Sequence, residues 1–126
     1  MHENQIATAV VDSAYHIHKE LGPGLLESVY EAALTFELEK RGYEVWRQFP
    51  IPIVYCGIQF EEGYRADLMV QNLVIVEIKS VDILAPVHYK QLLTYLKLSG
   101  RRLGIMINFN EAVIKSGIRR IVNKLT

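Results

Sequence analysis

A strand-length apolar run that carries two charges is the tightest constraint in this chain. Leu73-Val74-Ile75-Val76 shows no polar alternation, which reads as a central strand covered on both faces. Glu77 and Lys79 nevertheless continue that run, and Asp67 sits in a similar setting ten residues before Glu77. Taking such charges out of water without partners is costly. The sequence therefore has to supply a reason for keeping them.

The spacing suggests one. Gln71-Asn72 between two β-rich runs predicts a tight turn. A hairpin closed there pairs residues whose numbers sum to about 144, as 67 and 77 do. Asp67 and Glu77 are then cross-strand neighbours about 5 Å apart, and Lys79 shares their face because strand residues alternate. Two carboxylates that close force one to hold a proton unless a cation lies between them. Magnesium prefers such oxygen ligands and leaves other positions to water or phosphate. It acidifies water and neutralises charge on a phosphodiester, while Lys79 would steady the transition state. The constellation predicts a Mg2+ site, with Mn2+ as an alternative ion, for phosphodiester hydrolysis. The same charges also admit a plainer arrangement: an Asp67–Lys79 salt bridge with Glu77 at an exposed strand end.

The flanking pattern gives a fold. A helix is expected from about Asn4 to Leu21, with Ile6, Val10, Ala14 and Ile17 inward, broken by Gly22-Pro23-Gly24. A second runs from about Leu26 to Arg41, with Leu26, Val29, Ala33 and Phe36 as its apolar stripe. Tyr43 to Tyr55 reads as an edge or bulged strand because of Pro50 and Pro52, and Cys56-Gly57 as a turn. Strands follow at Ile58 to Phe60, Tyr64 to Val70 and Leu73 to Lys79. A helix from Pro86 to about Leu98, a strand from Leu103 to Asn108, and a tail open between strand and helix complete the chain. This order implies a single α/β domain over residues 1–126, a sandwich around a mixed sheet.

Composition narrows the partners. The 126 residues contain no apolar run long enough for a membrane span, and no signal-peptide core at the start, so a cytoplasmic protein without membrane association is expected. One cysteine, Cys56, excludes an internal disulfide or a cysteine-based zinc cluster. Net charge is zero, but residues 1–63 hold ten acidic against four basic side chains and residues 64–126 the reverse. Such asymmetry suits one basic face; it also suits ordinary solvated helices.

Several segments in one order carry a resemblance. "GLLESVY", "YRADLMV", "VIVEIKS", "HYKQLLTYLKLSG" and "LGIMINF" resemble the GxxExxY proteins of the PD-(D/E)xK nuclease superfamily, from about Ile6 to Val122. The proline of the superfamily's name is absent, since Ala66 precedes Asp67. The resemblance implies a restriction-endonuclease-like three-layer sandwich and a metal-dependent nuclease acting on nucleic acid, with DNA the expected substrate. It implies Asp67, Glu77 and the Ile78 carbonyl as metal ligands, and Lys79 as the catalytic lysine. Glu27 would face the metal directly or through water. Gln91 would hold the nucleophilic water or a phosphate, and Tyr95 lies one turn on along the same helix face.

Other positions read less sharply. Arg65 suits a phosphate contact or a surface ion pair, and His88 near a helix start suits an anion or plain exposure. Lys90 belongs to the positive half-chain, which would neutralise backbone phosphates if it lines the site. Tyr30 and Tyr89 read as packing residues rather than base-stacking ones. A chain this small would need a homodimer or a protein partner to hold its substrate. The competing reading is a non-catalytic module that keeps the fold to bind nucleic acid or protein. Hydrolysis of a small phosphorylated ligand at the same metal has no motif behind it.

Overall fold

The structure is a computed structural model describing residues 2–125. Its elements are α1 (Glu3–Leu21), α2 (Glu27–Lys40), β1 (Val45–Tyr55), β2 (Ile58–Val70), β3 (Val74–Lys79), α3 (Pro86–Ser99), β4 (Leu103–Asn108) and β5 (Ile118–Val122). A 3-10 turn, Ile114–Gly117, precedes β5. The undecided tail thus contains both a helical turn and a strand, and the two strands expected within β2 are one.

One sheet of order β1-β2-β3-β4-β5 holds the chain together. Only β3 and β4 pair in parallel, and α3 makes the crossover between them. The remaining neighbours are antiparallel. Helices α1 and α2 cover one face, where Ile6, Val10, Tyr30 and Leu34 meet Leu68, Val76 and Ile105. Helix α3 covers the other, where Leu92, Tyr95 and Leu96 meet Met69, Ile75 and Met106. This is the expected three-layer α/β sandwich, with β3 central and buried along nearly its whole length.

The proline rule fits β1. It is an edge strand, and its register with β2 shifts between Ile51 and Ile53, at Pro52. Gly63 on β2 lies against this shift, since a Cβ there would stand 2.9 Å from the Ile51 carbonyl oxygen.

Helix α2 departs from expectation. Leu26 and Phe36, assigned to its inner stripe, are 73% and 68% exposed, and Val29 is exposed too. Tyr30, Leu34 and Leu38 face the core instead. Two apolar stripes compete on this helix, and the one that carries Tyr30 has the better partners. The Tyr30 ring stacks on Phe109 with centroids 4.4 Å apart, and its hydroxyl donates to the Gly22 carbonyl while accepting from the Leu25 N–H. Tyr30→Ala is therefore expected to cost about 3–5 kcal/mol in chemical denaturation. Phe36→Ala should stay within about 0.5 kcal/mol of the parent. Equal costs would put the inner stripe back where the sequence pattern placed it.

Candidate active site

The hairpin register comes out as expected. Leu68, Met69 and Val70 stand opposite Val76, Ile75 and Val74, so the numbers sum to 144 at every pair. Gln71 and Asn72 take left-handed φ values of 54° and 56°, the conformation of a two-residue hairpin turn. At the other end of the pairing, Asp67 replaces a ladder bond with its side chain: its Oδ2 accepts from the Ile78 N–H at 2.7 Å. That bond fixes the carboxylate against β3.

Glu77 is 6% exposed, and its Oε1 has no hydrogen-bond partner. Burial pushes its carboxyl up to about 9, the Asp67 charge beside it adds to the rise, and Lys79 partly offsets both. Acid, acid and lysine therefore converge as the spacing required. The plainer arrangement does not form. Among the described residues three salt bridges are present, none involves Asp67, Glu77 or Lys79, and Glu77 is not at an exposed end.

The loop before α2 is clamped to the end of β3. Ser80 donates its N–H to Glu27 Oε2 at 3.0 Å and its hydroxyl to the Leu25 carbonyl at 2.7 Å. Gly24 has φ 95°, a backbone open to glycine. In "GLLESVY", Gly24 permits the turn, Glu27 caps the strand end and Tyr30 ties the loop from inside. Glu27 thus stands one residue beyond Lys79, exposed and engaged with backbone. It does not complete a triad with the acid pair, for no group of three or more His, Cys, Asp or Glu among the described residues is gathered to hold a metal. Any ion there would complete its shell with backbone carbonyl, water or substrate oxygens.

Helix α3 closes the site from above. Tyr95 is buried, with burial first and the charges of Glu77, Tyr64 and Asp67 next in pushing its hydroxyl up to about 12. It remains a neutral donor. Gln91 is half-buried one turn earlier on the same helix. Lys90 is exposed on α3. His88 is half-buried, and its Nδ1 accepts the Ala85 N–H at 3.0 Å and so caps the helix start. Arg65 is exposed and donates to the Gln48 carbonyl at 3.3 Å.

Three arginines of the positive half-chain are engaged elsewhere. Arg101 and Arg102 lie just before β4, at the sheet end where β3 begins, and Arg102 grips Glu3 in a bidentate pair. Arg120 reaches Asn4 on α1. Their charges support the fold away from the acid pair.

Two supporting residues escaped the sequence reading. Glu31, buried on α2, accepts from Arg47 at 2.9 Å and Gln48 at 2.6 Å, fixing β1 where Gln48 takes φ 52°. Asn108, fully buried, exchanges two hydrogen bonds with the backbone of Val81 and so steadies the chain leaving β3. Glu31's spacing from Glu27 was visible, but its partners are distant in sequence.

The raised Glu77 carboxyl makes stability depend on pH. The unfolded chain loses this proton near 4.5, whereas the fold retains it to about 9. Its favourable contribution is therefore present below pH 4.5 and is lost as pH rises toward 9. In EDTA, Glu77→Gln should have the higher Tm at pH 8 and lose that advantage at pH 4. Parallel pH–Tm curves would show that Glu77 is not held protonated.

The residues fit a divalent cation, because two adjacent carboxyl groups, one with an unpartnered buried oxygen, are hard donors whose charge Lys79 only partly offsets. Comparison with known proteins gives the fold and the family. The crystal structure of SSO0001 aligns with a TM-score of 0.58 at 24% identity, over 79% of this chain and 52% of that one. The chain thus spans about half of that one's length, and the likeness is one of fold. No curated protein matches. The family model of the PD-(D/E)XK nuclease superfamily matches residues 4–121, and the chain belongs to that superfamily.

Proposed function

We propose that this protein is a divalent-metal-dependent nuclease that hydrolyses phosphodiester bonds, with DNA as its substrate. The observation that carries the reading is the Glu77 carboxyl, buried against Asp67 with one oxygen unpartnered. A fold that only needed packing would have placed an apolar residue there at lower cost.

Asp67 and Glu77 would hold Mg2+ or Mn2+, with the Ile78 carbonyl as a further donor and Glu27 acting through water. When bound, the cation neutralises phosphate charge and acidifies a water molecule. The remaining work belongs to the chain. Lys79, on the face of the acid pair, offsets the charge that grows on the phosphate oxygens. Tyr95, whose hydroxyl keeps its proton throughout the working pH range, donates a hydrogen bond to an oxygen of the substrate. Gln91 orients the attacking water from the neighbouring turn. Asp67 is kept from swinging away by the Ile78 N–H. Exclusion of water by α3 strengthens each of these interactions.

The non-catalytic module is the second reading, favoured by the engagement of Glu27 with Ser80 rather than with the acid pair. The two readings part in one experiment. Labelled DNA should be cut with Mg2+ and left intact with EDTA, and Lys79→Ala should lower the rate by at least about 100-fold while the fold is retained. Mg2+ should raise the Tm of the parent, and Asp67→Asn should abolish that rise. A Tm rise without cleavage of any nucleic acid would leave the module standing and remove the enzyme.

A further inference from the structure

The same site bears on the form of its substrate, an inference that rests on the hydrolase reading. Strands β1 and β2 continue together beyond the three pairs that join β2 to β3, from Ile51 opposite Tyr64 out to Tyr55 opposite Ile58. This arm keeps aromatic rings in water, with Phe60 40% and Tyr64 47% exposed. An open groove of ≈ 320 Å³ lies on it, and Pro52, Phe60, Glu61, Gly63, Tyr64 and Arg65 line its walls. The register shift at Pro52 and the bare backbone of Gly63 let the two strands approach so closely there.

The groove leads to the acid pair through one ring contact. Tyr64 lies against Tyr95 with centroids 5.2 Å apart and planes inclined by 41°, and Tyr95 feels the charges of Glu77 and Asp67. A ring stacked on Tyr64 would thus lie one side chain away from Tyr95, which borders the acid pair. Aromatic faces accept any base, and each stacked base contributes roughly 1–3 kcal/mol in affinity, or about 5- to 150-fold. A paired base inside a duplex has both faces covered by its neighbours, so only an unpaired base can lie on Tyr64. Arg65 supplies a cation on the groove wall for the backbone, and Glu61 repels phosphate from the other part of the wall.

We propose that this groove is a stacking subsite for an unpaired base, Tyr64 being the platform, and that the substrate is single-stranded nucleic acid or a single-stranded end. Binding tests it without cleavage. The full chain is titrated in EDTA into a fluorescein-labelled oligo-dT of about 15 nucleotides, and into the same strand annealed to its complement, with anisotropy as readout. The single strand should bind more tightly than the duplex. Tyr64→Ala should weaken the single strand by about tenfold and leave the duplex within about twofold, while Tyr64→Phe preserves both. Phe60→Ala, on the same wall, should weaken the single strand in the same sense should Tyr64→Ala fail to fold. Unchanged single-strand affinity in both alanine variants, equal losses for both ligands, or tighter duplex binding would overturn the subsite. So would a dimer seen by sedimentation that Tyr64→Ala dissolves, because the groove would then belong to a second copy. Single-strand binding through Tyr64 without Mg2+-dependent cleavage would uphold the subsite and remove the hydrolase reading. Cleavage of duplex with Tyr64-independent binding would do the reverse.

Discussion

The hydrogen bond from the Ile78 N–H to the Asp67 carboxylate is the interaction on which the site depends. It sits where the β2–β3 pairing ends, so a side chain takes over from the backbone in tying the two strands together. One short contact therefore ties the strands and positions an acid at once. It holds an acid beside Glu77, and it does so from a central strand buried along nearly its whole length, which has little freedom to relax. Lys79 inherits its place from the same alternation. Glu27 inherits its place from Ser80, the residue that follows.

Much of this was legible because it is local. The Gln71-Asn72 turn sets the register by itself, and register sets which side chains share a face. The prolines of β1 announced an edge strand, and Pro86 and Ser99-Gly100 marked the ends of α3. Where two answers were locally equivalent, the pattern misled. Leu26, Val29, Ala33 and Phe36 make as regular a stripe as Tyr30, Leu34 and Leu38, and only the distant Phe109 decides between them. The basic residues are a different case. Their number in the second half suggested a face near the acids, and one of them, Arg102, is committed to Glu3 from the opposite end of the chain. The family match extends this reading to nearly the whole sequence, and the engagement of Glu27 and His88 with backbone N–H groups gives local reasons for their positions.

The two helical layers divide the work. Helices α1 and α2 supply most of the apolar burial and the Tyr30 anchor, whereas α3 brings the Tyr95 hydroxyl within the field of Glu77 and Asp67. The layer that holds the fold together is thus separate from the one that borders the acid pair.

The crossover that brings α3 over the sheet also ties the fold to a proton. Asp67 and Glu77 meet within a tight hairpin, whereas the helix that covers their face of the sheet belongs to the longer crossover between β3 and β4. A hairpin alone leaves both carboxyls in water, where each ionises; burial is the first cause that raises Glu77 to about 9. Packing of the helical layer is thus linked to uptake of a proton at neutral pH.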